Sequence, residues 1–164
     1  MLEPAPLADV AHLEGIVRGS DGDLYGADEG GGVFRIDVFR IDRAGAGATH
    51  VATVPGLGLG HTGDAHGRLF VCTTGPERVT RVDPVSGACE TWCETAGGAA
   101  MICRNDPVFG ADGTLYVSDS GSEALGAGGG RMLAVPFDSG DAAVIADGLT
   151  SPTALRSAPT GRCT

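Results

Sequence analysis

A short motif recurs three times along the chain at a nearly constant interval. It reads DGDLYGAD at 21–28, HGRLFVCT at 66–73 and DGTLYVSD at 112–119. The glycines of the three copies, Gly22, Gly67 and Gly113, are 45 and 46 residues apart. Three copies in step indicate repeated supersecondary units that stack on one another.

Each copy of the motif begins with a turn and continues as an extended strand. Asp or His before glycine is typical of a tight hairpin turn, and the apolar residues that follow alternate with a period of two. No long stretch has a helical period. About four short strands per unit predict an all-β chain built from the blades of a β-propeller. The further extended stretches are VFRID at 33–37, HVATVPG at 50–56, VTRVD at 79–83, CETWCE at 89–94, MLAVPFD at 132–138 and AAVIADG at 142–148.

The length of the chain limits how many blades it contains. At this period its 164 residues hold roughly three and a half units, whereas a closed propeller typically has at least four blades. An open arc exposes strand edges and the inner wall of its channel. We therefore expect the arc to be incomplete or to pair with another arc, for which self-association is one route.

Composition and charge disfavour several other classes of protein. The chain contains 28 glycines without a Gly-X-Y period, so neither collagen nor a disordered polar tract is expected. A formal net charge of −10 repels phosphate backbones and disfavours nucleic acid as a partner. The N-terminal segment carries no basic region followed by an apolar run, and no stretch approaches membrane-spanning length. We expect a soluble, cytoplasmic protein without a membrane partner.

Cysteine and histidine residues give only weak indications of a site. The five cysteines are an odd number without the spacing of a disulfide framework, which favours reduced thiols. Cys89 and Cys93 would share a face of an extended strand, a zinc-like pattern that lacks a second ligand pair. His61 precedes the second hairpin on a segment able to face the channel and contact substrate, whereas His66 replaces the Asp of the repeated turn.

The segment VFRIDVFRID at 33–42 is a perfect tandem duplication of five residues. Because side chains alternate between the two faces of a strand, an insertion of odd length reverses every later side chain. We therefore expect one of the two copies to bulge or loop out of the sheet.

Three segments resemble one known family. Glu14 and Gly15 followed by DGDLYGAD resemble its opening motif, RNDPVF at 104–109 followed by ADGTLYVSDSG resembles its Asn-Asp motif, and RVDPVSGACE at 81–90 is typical of its blades. The family contains gluconolactonase, senescence-marker protein and luciferin-regenerating enzyme, and its members are six-bladed β-propeller lactonases. The resemblance covers nearly the whole chain. It implies that residues 1–152 form a partial propeller, about three four-stranded blades of a six-bladed ring.

The resemblance also implies a metal site in the central channel. Glu14 matches a metal-ligating Glu, Asn105 matches an Asn that binds the metal or contacts substrate, and Arg104 lies where a basic side chain contacts substrate hydroxyl groups. Such oxygen ligands suit calcium best, with magnesium, manganese or zinc as alternatives. The structural alternatives are a solvated Glu14, a turn at Asn105 and a surface ion pair at Arg104. Asp106 is interpreted as a turn residue, and the family's catalytic Asp has no counterpart here.

The implied activity is metal-dependent hydrolysis of a small lactone, so the expected partner is a lactone or sugar acid. An isolated arc is expected to be weakly active or inactive. Two other functions stay open: a propeller that binds without catalysis, and an enzyme like strictosidine synthase, which shares the architecture but catalyses a condensation. A damaged gene product without a stable function is a further alternative.

The end of the chain departs from the family pattern. The stretch SPTALRSAPTG at 151–161 places Thr153 where the family has a ligand Asn, and Thr lacks an amide oxygen. With GC-rich codons chosen for TALRSAPTG, a shift by one base reads NGIALSADG, which is the family segment. We hypothesise that a frameshift falls near Pro152 and that residues 153–164 are an aberrant tail. Resequencing of the locus is expected to reveal a single-base difference there, and an intact reading frame would contradict the hypothesis.

Overall fold

The computed structural model describes residues 13–30, 35–41, 48–102, 105–121, 128–138 and 140–156, and these form strands and turns. The all-β prediction is confirmed. Nothing in these described segments is a helix of the length and apolarity that a membrane span requires. Arg104 and the end of the chain, 157–164, lie outside the described residues.

Most of the strands belong to three antiparallel sheets of four strands, which we call blades 1, 2 and 3. Blade 1 contains β1 (Leu13–Arg18), β2 (Leu24–Gly30), β3 (Arg35–Ile41) and β4 (Ala48–Pro55). Blade 2 contains β5 (Leu57–Gly63), β6 (Leu69–Thr74), β7 (Arg78–Val82) and β8 (Cys89–Cys93). A short hairpin of β9 (Thr95–Ala96) and β10 (Ala99–Ala100) leads to blade 3, which contains β11 (Pro107–Phe109), β12 (Leu115–Asp119), β13 (Gly130–Val135) and β14 (Ala143–Leu149).

The three blades repeat one register. In every blade the leucine that begins the second strand pairs with the last residue of the third strand: Leu24 with Ile41, Leu69 with Val82, and Leu115 with Val135. The strands of each sheet follow chain order, and β5 contacts both β1 and β11. The first strands of successive blades therefore adjoin, as they do around the axis of a propeller.

The turns between the first and second strands have the same backbone conformation in all three blades. In blades 1 and 3 a carboxylate, that of Asp21 or Asp112, accepts a hydrogen bond from the backbone N–H two residues later, at 3.0 and 3.1 Å. In blade 2 the carboxylate of Asp64 takes this role instead, accepting from the backbone N–H groups of His66 and Arg68. His66 therefore belongs to the turn, as its place in the repeat predicts. The glycines of these turns, Gly22, Gly67 and Gly113, have φ values of 87°, 84° and 82°.

Blade 2 is packed on both faces, because successive side chains of a strand point to opposite sides. Leu69 and Val71 of β6 pack against blade 1, whereas Phe70 and Cys72 pack against blade 3. The Phe70 ring meets the rings of Trp92 and Phe109 edge-on, with centroids 5.4 and 5.0 Å apart. Each aromatic pair contributes about 0.5–1.5 kcal/mol beyond the burial of its area. The two interfaces between blades form the core.

Blades 1 and 3 each have one face that no blade covers among the described residues. Leu69 and Leu115 are fully buried, whereas the equivalent Leu24 of blade 1 is only half-buried. On the opposite side of the arc, Tyr116 of blade 3 is half-buried although its counterpart Phe70 is fully buried. The sheets therefore form an open arc, and its pairing with another arc stays a prediction.

The expectation that Cys89 and Cys93 share a face of their strand is wrong. Val82 pairs with Cys89 and Val79 pairs with Cys93, but the register shifts between these pairs. The shift inserts one extra residue and reverses the alternation. Cys89 is consequently exposed and its thiol reaches the Thr53 carbonyl of blade 1, whereas Cys93 is buried in the core shared with blade 3.

The tandem duplication lengthens a strand instead of interrupting it. Every residue from Arg35 to Ile41 pairs with β2, so β3 crosses the boundary between the two copies without a bulge. The irregularity lies in the facing strand, where the β3 register steps from Ala52 to His50 of β4. The expected bulge or loop in the duplicated strand is thus wrong for residues 35–41. The added length is accommodated in the hairpin of β2 and β3, whose strands have seven residues each.

We expect Gly113→Ala to lower the free energy of unfolding by about 1–2 kcal/mol, because L-residues are strained in the left-handed region. Gly113 has a φ of 82°, and a Cβ added there would meet no heavy atom within 4 Å, so conformational strain alone acts at this position. Gly63→Ala is the matched control, since a Cβ at Gly63 makes ordinary contacts at 3.7 Å and beyond. Urea unfolding measures both variants, and equal losses would contradict the prediction.

Candidate functional site

Glu14 and Asn105 lie at the same sequence distance from the hairpin leucines of blades 1 and 3. Each lies ten residues before the leucine that begins the second strand of its blade, Leu24 or Leu115. Glu14 is near the start of β1 and Asn105 comes just before β11, so both are at the end opposite the hairpin turns. Blade 2 has Leu59 at the same place. The structure thus positions the two candidate ligands on one rim of the arc, on either side of β5.

The backbone is irregular at this rim. In β1 the register shifts between Glu14 and Ile16, and the extra residue, Gly15, has a φ of 69°. In β5 the register shifts between Gly58 and His61. A bulge re-aims the side chains next to it and ends regular pairing. The carboxylate of Glu14 is accordingly carried on an exposed part of β1.

Asn105 is held by two acceptors from different parts of the chain. Its amide nitrogen Nδ2 donates to the Ser120 hydroxyl and to the Pro152 carbonyl, the latter at 3.2 Å. These bonds commit Nδ2, so the atom with which Asn105 would bind a cation is Oδ1. Ser120 and Pro152 were not predicted, because no spacing pattern in the sequence relates them to Asn105. Only the pairing within blade 3 and the return of the chain after β14 bring them together.

His61 lies between blades 1 and 2. Its Nε2 is 3.0 Å from the Tyr25 carbonyl of blade 1, and since a carbonyl only accepts, Nε2 carries the proton. The other ring nitrogen, Nδ1, is buried and has no hydrogen-bond partner among the described residues. Burial lowers the pKa of His61, and the bond to the Tyr25 carbonyl opposes that shift. The interpretation of His61 as a channel-facing substrate contact is wrong, because the ring packs between blades.

Asp106 follows Asn105 and faces the same junction. Its backbone carbonyl accepts from the Ser118 N–H at 3.2 Å, which extends the pairing of β11 with β12. Burial raises the pKa of the Asp106 carboxyl, and the nearby His61 ring opposes that shift. Gly60 of β5 leaves room for the Asp106 carboxylate, since a Cβ at Gly60 would lie 2.1 Å from Asp106 Oδ1.

The described residues do not contain a complete metal site. Among them no group of three or more His, Cys, Asp or Glu side chains is placed to hold an ion. Glu14 and Asn105 are two candidate oxygen ligands, and the bulge at Gly15 gives them different registers. Glu14 pairs with Ala27, whereas the counterpart of Ala27 in blade 3, Ser118, bonds to Asp106. The predicted substrate contact Arg104 lies outside the described residues.

Surface cavities lie along the hairpin turns, at the end of the blades opposite Glu14 and Asn105. One of about 430 Å³ lies between the first and second turns and is lined by polar residues that include Asp21, His66 and Arg68. Another of about 300 Å³ lies between the second and third turns, beside Phe109 and Phe137. Neither cavity includes the candidate ligands.

No family model and no curated protein matches the sequence. The structure is similar to a gluconolactonase from Xanthomonas campestris, at 20% identity and a TM-score of 0.71, over 87% of this chain and 50% of that one. A second protein named a gluconolactonase on family grounds matches at 19% identity and a TM-score of 0.66, over 90% and 53% of the two chains. A puromycin hydrolase matches at 18% identity and a TM-score of 0.59, over 85% and 22%.

The fold is that of the gluconolactonase propellers. This bears out the resemblance that the Asn-Asp motif and the repeated hairpins indicated. The chain spans about half the length of the gluconolactonases it matches. At these identities the likeness is one of fold, and it extends through all three blades because most of the chain is covered.

We expect the stability of the protein to fall as the pH drops below about 6.5. The unfolded chain takes up a proton on His61 near the ordinary pKa of 6.5, whereas burial keeps the folded ring neutral to a lower pH. The contribution of His61 is therefore fully present above pH 6.5 and is lost toward its lowered folded pKa. His61→Gln should flatten this decline in the free energy of unfolding, measured by urea titration at about pH 5 to 7.5. Parallel curves for the two proteins would count against the prediction.

Proposed function

We propose that this chain is part of a metal-dependent lactone hydrolase of the gluconolactonase kind, with its site at the rim that carries Glu14 and Asn105. The observation that supports this most is that both residues lie at the start of the first strand of their blade, at the end opposite the hairpin turns. Both carry oxygen donors, and the first strands are the ones that adjoin around the axis of a propeller. The substrate is a small lactone or sugar acid.

The donor chemistry of the pair fits a hard cation. Glu14 offers carboxylate oxygens and Asn105 offers Oδ1, and calcium binds about six to eight such oxygens. The described residues supply only part of that set. The remaining ligands would come from outside them, which is consistent with an arc that spans half of the matched propellers.

The chain would contribute to this reaction by holding the ligands of the cation in place and by its negative electrostatic field. A divalent cation bound at the rim would polarise a lactone carbonyl and lower the pKa of an attacking water. The Asn105 side chain is already held by two hydrogen bonds, so it requires little ordering on binding. The formal net charge of −10 concentrates cations near the surface. With an incomplete ligand set, the isolated chain is expected to hydrolyse lactones weakly or not at all.

We expect calcium to stabilise the chain through Glu14. At a calcium concentration about 100-fold above Kd, the Tm of the wild type should rise by about 5 °C or more. Glu14→Gln should abolish most of that rise, since the substitution removes the charge and one anionic ligand. Glu94→Gln is the matched control, because Glu94 is also exposed but follows β8, far along the blade from the first strands.

Differential scanning fluorimetry with calcium, magnesium and EDTA measures this effect. A pH-stat assay of gluconolactone hydrolysis, corrected for the spontaneous rate, then measures what activity the isolated chain has. A calcium response that is equal in Glu14→Gln and Glu94→Gln would refute the proposed site. Cation-dependent hydrolysis that Glu14→Gln abolishes would support the catalytic function directly, and fast hydrolysis without any cation would refute the metal-dependent mechanism.

A further inference from the structure

The amide of Asn105 belongs to a closed triangle of hydrogen bonds. Nδ2 donates to both the Ser120 hydroxyl and the Pro152 carbonyl, and the Ser120 hydroxyl itself donates to the Pro152 carbonyl at 3.1 Å. Ser120 is 7% exposed, so water competes little for these bonds. A small buried network whose members are all paired holds its side chains in one arrangement.

The segment after β14 is itself anchored to blade 3. Thr153 accepts from the Ser118 hydroxyl at 3.4 Å through its backbone carbonyl. The Pro152 ring lies so close to β13 that a Cβ on Gly130 would be 2.5 Å from its Cδ atom. Pro152 is therefore fixed from two sides, which makes its carbonyl a defined acceptor for Asn105.

We propose that Ser120 is a positioning residue, which together with the Pro152 carbonyl orients Oδ1 of Asn105 toward the cation. An Asn side chain can otherwise rotate and present either its nitrogen or its oxygen. Because Ser120 and Pro152 are both acceptors for Nδ2, only the orientation with Oδ1 turned away from them satisfies the network. The inference rests on the proposed function, in which Asn105 is a ligand. It adds that the ligand orientation is set by a hydroxyl that never touches the metal.

The side-chain amide of Asn105 can be observed by NMR without overlap from other side-chain amides. Asn105 is the only Asn in the chain, and the chain contains no Gln. The side-chain NH₂ group of Asn105 is therefore the only carboxamide that a ¹⁵N-labelled sample displays by NMR. Its hydrogen exchange reports directly on whether Nδ2 is held.

The test compares Ser120→Ala with Ser118→Ala. Ser118 is a buried serine that also bonds the segment after β14 and accepts from the Asp106 backbone N–H, but its hydroxyl is not one of the two acceptors of Asn105 Nδ2. Ser120→Ala should speed exchange of the Asn105 NH₂ protons by about fivefold or more, which is the effect of losing one net hydrogen bond. It should also weaken calcium binding by about 10- to 100-fold, because this is the usual effect of removing a group that orients a metal ligand. Ser118→Ala should lower stability yet change the exchange rate and the calcium affinity by no more than about twofold. Ser120→Thr keeps the hydroxyl and should retain slow exchange.

Equal exchange in the wild type and Ser120→Ala would overturn the positioning role, as would equal acceleration in Ser118→Ala. The exchange measurement needs no cation, so it decides whether Ser120 holds Nδ2 even if the wild type binds no calcium. Calcium titration of the wild type separately decides the proposed function. Slow exchange that depends on Ser120 together with unchanged calcium affinity would also overturn the role, because the orientation would then not serve the ligand.

Discussion

The structure depends on the stacking of four-stranded sheets that are apolar on both faces. A four-stranded antiparallel blade of this kind cannot bury its own side chains, since successive residues point to opposite sides. Blade 2 shows the consequence, with Leu69 packed against one neighbour and Phe70 against the other. Burial of a large apolar side chain contributes about 1.5–3 kcal/mol, so each covered face is a substantial part of the stability. The half-buried Leu24 and Tyr116 show where that contribution is incomplete.

The same stacking creates the candidate site. Because each blade repeats one register, the starts of the first strands meet at a common rim. Residues near the start of the first strand then lie at that rim in every blade, although the bulges in β1 and β5 change their register relative to β11. Glu14 and Asn105 place oxygen atoms near this rim, whereas blade 2 has the half-buried Leu59 there. The local irregularities, such as the bulge at Gly15, occur where the strands leave regular pairing.

Close packing between blades also explains why small residues recur at the rim. Gly60 leaves room for Asp106, and Gly15 lies against the His61 ring, where an added Cβ would be 3.1 Å from Nδ1. His61 in turn joins blade 2 to the Tyr25 carbonyl of blade 1. The titratable groups of the junction are thus held by packing, which shifts their pKa values in opposite directions.

The sequence alone determined the class of fold, because turn glycines and alternating apolar residues are local signals that recur with the period of a blade. The family resemblance of its motifs also predicted Glu14 and Asn105 as ligands, which stays a prediction. The sequence-based prediction was wrong for Cys89 and Cys93, because one register shift between them puts their side chains on opposite faces of the sheet. It was also wrong for the duplicated segment, because residues 35–41 pair with β2 without a bulge. The neighbours of Asn105 were decided only by the tertiary structure. Ser120 and Pro152 reach its amide through strand pairing and the return of the chain, and contacts between residues distant in sequence leave no periodic trace.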